Sequence, residues 1–195
     1  PRICLIAAHD PRPSACLAFE ETLGGVACQL PEEVCAHPDV EWVYIASPHG
    51  LHYEHTMLCL DAGLPVLCEK AFAINSGQVS KMIAKAREKN IFLMEALWTR
   101  FNPAFCQVKK WIDKGSLGSI RYINATFSFN GLDKGEDSRL FNPIKGGGTL
   151  LDIGIYPIFL AYYLLGIPNN IKASAHITPK GIYKQLAIIL TYEHA

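Results

Sequence analysis

The seven cysteines include no C-x-x-C pair, and their odd number leaves at least one thiol outside any set of disulfides. Reduced and mostly buried thiols are therefore expected at Cys4, Cys16, Cys28, Cys35, Cys59, Cys68 and Cys106. No secretory or transit pattern opens the chain, so a cytoplasmic location is the default expectation. Net charge is also lacking: 18 basic residues balance 18 acidic ones, which excludes the broad positive field that nucleic acid or an anionic membrane would need. The longest apolar run, residues 153–165, is interrupted by Gly154, Tyr156 and Pro157 and falls short of the roughly 20 residues that span a bilayer. No internal repeat or low-complexity stretch occurs, and the first residue is Pro1 rather than Met, which reads as a trimmed start. What the chain does have is 195 residues, 50% of them apolar, enough to bury the core of one large domain or two small ones.

Apolar runs alternate with helical patterns along the first half. Strands are expected at Arg2 to Ala8, Val26 to Leu30, Glu41 to Ser47, Pro65 to Cys68 and Ile91 to Ala96, each bounded by turn residues. Helices are expected at Ser14 to Leu23, from Pro31, at His52 to Ala62 closed by Gly63, and after Asn75 or Ser76, where Val79, Met82, Ile83 and Ala86 recur at helical spacing. That alternation predicts an α/β fold with a Rossmann-like doubly wound parallel sheet, whose ligands bind outside the carboxyl ends of the strands. The pattern changes near Trp98 to Pro103. A helix from Pro103 to Lys114, an alternating stretch Ile120 to Phe129, an apolar helix Thr149 to Leu165 and a strand Lys184 to Tyr192 predict a partial α+β domain with a mixed or antiparallel sheet. The expected domains are residues 1–98 and 99–195.

Four segments place polar groups where chemistry is plausible. Glu69-Lys70-Ala71 follows a strand, so the ammonium of Lys70 lies where it can polarise a hydroxyl or carbonyl; an ordinary exposed lysine fits the same spacing. Gly146-Gly147-Gly148 precedes Asp152 and Tyr156, which share a face if this stretch is α-helical; a helix start with a packed Tyr is the bland alternative. Ser47-Pro48-His49-Gly50-Leu51-His52, with His55 beyond, has a metal-like histidine spacing but no completing carboxylate or cysteine, so a helix start facing a dinucleotide is preferred and no metal is expected. Trp98 and Arg100, in Met94-Glu95-Ala96-Leu97-Trp98-Thr99-Arg100-Phe101, suit either substrate stacking or an interface.

Taken in order, Ala46-Ser47-Pro48-His49-Gly50-Leu51-His52, Glu69-Lys70-Ala71, the Met94 to Phe101 segment and Gly146 to Tyr156 resemble the glucose-fructose oxidoreductase/inositol dehydrogenase family. The last two segments are similar to its dimeric dihydrodiol dehydrogenase branch. The resemblance covers nearly the whole chain. It implies an NAD- or NADP-dependent dehydrogenase that moves a hydride between the nicotinamide and the carbinol of a cyclic trans-diol or sugar. It further implies a catalytic pair falling on Lys70 and Tyr156 with Asp152 in support, and a cofactor or substrate lining of Ser47, Pro48, His49, His52, Glu69, Lys70, Trp98 and Arg100. The cofactor-selecting turn falls on His9, able to meet a phosphate when protonated, and Asp10, able to bond a ribose hydroxyl; the residues leave NAD and NADP both open. A homodimer or higher homo-oligomer is implied as well. Two departures stand out: no G-x-G-x-x-G turn precedes Arg2, so about the first thirty residues of such a domain, including its first strand, are expected to lie outside the chain. Ala71 also replaces the usual Pro, so the cis peptide that often accompanies that proline is expected to be lost. The alternative from another class is a catalytically inactive or regulatory binding protein that kept the fold.

Overall fold

A computed structural model describes residues 3–135 and 138–193. The backbone divides into two compact units, one of residues 1–47 with 51–96, the other of residues 48–50 with 97–195.

In the first unit strands and helices alternate: β1 (Ala7–His9), α1 (Pro13–Leu23), β2 (Val26–Cys28), α2 (Pro31–Ala36), β3 (Val43–Ile45), α3 (His49–Asp61), β4 (Val66–Cys68), α4 (Ser76–Glu88) and β5 (Leu93–Glu95). All pairings are parallel, as the helical crossovers require. β1 pairs with β2, and β4 lies between β3 and β5, with Val43, Val66 and Leu93 in one row. Every strand is shorter than the apolar run that foretold it; the expected start of β1 at Arg2 lies outside the described residues. Ile45 of β3 and Val66 and Cys68 of β4 are buried and form a core with Cys59 and Leu60 of α3 and Ala86 of α4, with Val43 partly buried beside them. Leu60 has no exposed surface, a burial worth about 1.5–3 kcal/mol. Local chemistry sets the helix ends: the Asn75 side chain accepts the Gln78 N–H at the start of α4, satisfying one of the donors a first turn leaves over. α3 begins at His49, three residues earlier than its pattern suggested.

The second unit holds a 3₁₀ turn, Trp98–Phe101, then α5 (Pro103–Asp113), α6 (Ile155–Leu165) and an antiparallel ladder of β6 (Asn170–Ile177) with β7 (Tyr183–Thr191). Pro103 opens α5 at a position where its missing N–H costs nothing, and Asn102 caps it by accepting the Ala104 N–H. Two expectations are corrected here. Residues 120–129 alternate in polarity, yet they form no ladder among the described residues; alternation selects the faces of a strand, whereas the strand itself needs a hydrogen-bonding partner. The apolar helix from Thr149 is not uniformly α-helical, because Leu150–Gly154 is wound as a π-turn before α6 begins. β6 was not foreseen at all.

Candidate active site

Parallel pairing brings the carboxyl ends of the strands within each ladder to the same side, and several polar groups singled out from the sequence follow those ends in the first unit. At the end of β1, His9 Nδ1 lies 3.2 Å from the Cys28 carbonyl, while in the turn that follows both carboxylate oxygens of Asp10 accept hydrogen bonds from the Arg12 guanidinium, at 2.8 and 2.7 Å. That fork holds the Asp10 carboxyl at about 2, below its ordinary 3.8. Arg12 was missed from the sequence, although a cation two residues past an aspartate in a tight turn was a signal.

The turns after β3 and β4 are tied together by one fully buried ring. His52, from α3, places Nε2 2.7 Å from the Ser47 carbonyl and Nδ1 2.7 Å from the Ala71 carbonyl. Ser47 Oγ in turn lies 3.0 Å from His55 Nδ1, and burial lowers the pKa of His55, favouring the neutral ring. Glu69 accepts from the Tyr44 hydroxyl at 2.5 Å and from the Lys70 N–H at 3.1 Å. The bond to this carboxylate, with burial adding to it, pushes Tyr44 up to about 12. The Lys70–Ala71 peptide is cis, so the alanine has not removed the geometry expected to go with proline. Beyond it, the Phe72 N–H donates to Glu95 Oε1 at 2.8 Å, fixing the segment just after Lys70 to the end of β5. Glu95, not singled out as a site residue, has its pKa raised by burial and, less, by the nearby Glu69 charge; the Phe72 N–H opposes that shift.

In the second unit, Pro48-His49-Gly50 meets the triple-glycine loop. His49 is buried with Nδ1 3.0 Å from the Gly146 carbonyl, and the Gly50 N–H donates to the Lys145 carbonyl at 3.2 Å. A Cβ on Gly50 would stand 1.9 Å from the Ile144 carbonyl oxygen, so only glycine fits. Each of the three histidines that suggested a metal thus has at least one ring nitrogen against a protein group. No cluster of three metal-binding side chains occurs among the described residues. Asp152 is buried on the π-turn and accepts from Arg139 Nη1 at 3.1 Å. Tyr156, at the start of α6, packs between Phe127 and Trp98, with ring centroids 5.5 and 6.2 Å away. Arg100 lies over the Tyr163 ring at 5.8 Å. Asp152 and Tyr156 therefore each have a defined neighbour that sequence spacing did not supply: a guanidinium for the acid, an aromatic pair for the phenol.

Residues 1–97 match the family model described as oxidoreductase family, NAD-binding Rossmann fold, and residues 105–195 match the GFO/IDH/MocA C-terminal domain. The chain belongs to the GFO/IDH/MocA oxidoreductase family. Among its relatives, trans-1,2-dihydrobenzene-1,2-diol dehydrogenase of Mus musculus is 37% identical over 163 residues, covering 83% of this chain and 48% of the mouse protein. D-xylose 1-dehydrogenase (NADP(+)) of Hypocrea jecorina is 39% identical over 140 residues, 68% of this chain and 36% of the relative. The crystal structure of the 3-ketoreductase KijD10 from Actinomadura kijaniata, with NADP and TDP-benzene, superposes with a TM-score of 0.81 at 28% identity, over 97% of this chain and 58% of that one. The family member described here thus spans about half the length of the relatives it matches. Among the described residues no helix is long and apolar enough to cross a membrane.

Proposed function

We propose that this chain supplies part of the catalytic apparatus of an NAD- or NADP-dependent dehydrogenase acting on the carbinol of a cyclic trans-diol or a sugar. The observation that carries the reading is the anchored Glu69-Lys70 segment at the carboxyl end of β4, held from one side by His52 and from the other by Glu95. A cation carried on that anchored segment suits a reaction in which negative charge develops on a substrate oxygen.

The donor set of the first unit fits a nicotinamide dinucleotide. Ser47, Glu69 and Lys70 offer a hydroxyl, a carboxylate and an ammonium beyond β3 and β4, matched to ribose hydroxyls and a carboxamide, while His9, Asp10 and Arg12 follow β1, where a second ribose would be read. When bound, that cofactor supplies the hydride acceptor or donor. The family resemblance assigns the carbinol proton to Tyr156 and the stabilising positive charge to Lys70, and within the second unit Asp152 holds Arg139 in place. Within the first unit His52 holds two strand-end carbonyls; within the second, His49 holds the Gly146 carbonyl and Trp98 limits where the Tyr156 ring can lie. A cytoplasmic location and pairing of two copies through the exposed β6–β7 sheet, where Ile189 is 65% exposed, complete the proposal.

Lys70→Met in the full-length protein tests it. Turnover of a trans-diol or sugar should fall by at least about 10²-fold, while NADH or NADPH fluorescence still reports binding. Near-normal turnover would remove Lys70 from the mechanism. Turnover absent in the unsubstituted protein, with cofactor binding retained, would favour a binding protein that kept the fold.

A further inference from the structure

Two cysteines that the proposed chemistry does not use face each other at the margin of the first unit's core. Cys35 is partly buried on α2 and Cys59 is buried on α3; their sulfurs lie 3.6 Å apart although 24 residues separate them in sequence. A disulfide bond is about 2.05 Å long, so the two sulfurs need to approach by only about 1.5 Å, within reach of side-chain rotation and a slight shift of either helix. We propose that Cys35 and Cys59 form a site of reversible two-electron oxidation by hydroperoxides, which closes a disulfide between α2 and α3.

The two sulfurs are unequal, and the inequality assigns their roles. The hydrogen bond between them lowers the pKa of Cys35 and, with burial adding to it, raises that of Cys59. Cys35 is also the more accessible of the two. The Cys35 thiolate attacks a peroxide oxygen: an S–O bond forms, the O–O bond breaks and hydroxide leaves, to be protonated to water. The Cys59 thiol then loses its proton as its sulfur attacks the sulfenic sulfur of Cys35; the S–S bond forms, the S–O bond breaks and a second water departs. Two thiols are oxidised by two electrons and one hydrogen peroxide is reduced to two waters. Other thiols are less suited. Burial pushes Cys68 up to about 12 and also raises Cys28, so both stay protonated. A closed bridge would tie α2, which packs on β1 and β2, to the helix that carries His52 and His55.

The inference is independent of the dehydrogenase reading, and the chain itself suffices to test it. Reduced protein is exposed to hydrogen peroxide, quenched with an alkylating maleimide, digested after glutamate and mapped by mass spectrometry. Residues 34–41 should be recovered joined to residues 55–69, with fragmentation placing the link on Cys59, and the linked pair should weigh about 2 Da less than the sum of the two reduced peptides. Dithiothreitol should reverse both changes. Cys59→Ser should leave Cys35 as a sulfenic acid that dimedone traps. Recovery of Cys35 and Cys59 as separate alkylated thiols, after exposure sufficient to oxidise the exposed Cys4, would overturn the proposal. So would a link from Cys35 to a different cysteine. The wild-type map decides the matter even if the serine variant does not fold.

Discussion

Replacing Gly147 with alanine isolates the packing of the triple-glycine loop from its backbone flexibility. Unlike Gly146 and Gly148, Gly147 does not have positive φ, so the substitution introduces no left-handed strain. The added methyl would instead stand 2.5, 2.7 and 2.9 Å from the carbonyl oxygens of Arg139, Leu140 and Asn142. All three are backbone atoms, so relief requires the loop to shift by roughly 0.5–1 Å. Such overpacking costs about 1–3 kcal/mol, and disturbing the Gly147 N–H bond to the Asn142 carbonyl adds about 1 kcal/mol. A total of about 2–4 kcal/mol corresponds to a fall in Tm of about 4–16 °C for a chain of this size. Because Arg139 holds Asp152, the same shift should loosen the buried carboxylate next to the proposed proton carrier. Differential scanning calorimetry checks the number, and Gly77→Ala is the control, since its methyl would meet only the Asn75 side chain at 3.3 Å. If Gly147→Ala melts within about 2 °C of wild type, packing against these carbonyls does not constrain the loop.

Glu95→Gln should stabilise the protein at neutral pH. The buried carboxyl has a raised pKa, so its favourable contribution is fully present below the unfolded value of about 4.5 and is lost as pH rises through the folded value. Glutamine keeps an oxygen for the Phe72 N–H without the charge, so its advantage should disappear in acid; an advantage that persists at pH 4 would refute this account. Asp10 has the opposite sign. Its depressed pKa contributes stability above 3.8 that is lost as pH falls towards about 2. Asp10→Asn should therefore lower Tm at pH 7, by no more than about 2 °C because the ion pair is solvent-exposed, and should match wild type near pH 2. Urea unfolding across pH reads both effects.

The parallel half of the fold was legible because each strand is a compact apolar run with a turn signal after it, as Val43–Ile45 before Ser47-Pro48 shows. Residues 120–129 failed for a physical reason: a period of two records which side chains share a face but says nothing about whether another backbone lies alongside. β6 escaped notice because Ala173, Ser174 and Ala175 give it little contrast, and its pairing with β7 comes from a register that no local pattern contains. In the candidate site, the position of Glu69 and Lys70 after a strand was legible from the sequence. That of Arg139 was not, since it reaches Asp152 from a short 3₁₀ turn 13 residues away. The π-turn at Leu150–Gly154 was equally hidden, because it shares its apolar pattern with an ordinary helix.

Cys68 ends β4, the middle strand of the β3–β4–β5 ladder, with none of its surface exposed, whereas Cys4 is open to solvent. A maleimide can therefore modify Cys68 only during excursions in which the helices packed over it lift away, and Cys4 provides an internal clock for the reagent. The chain carries its own reporter of how often its middle strand is bared, readable by mass alone and without any introduced label.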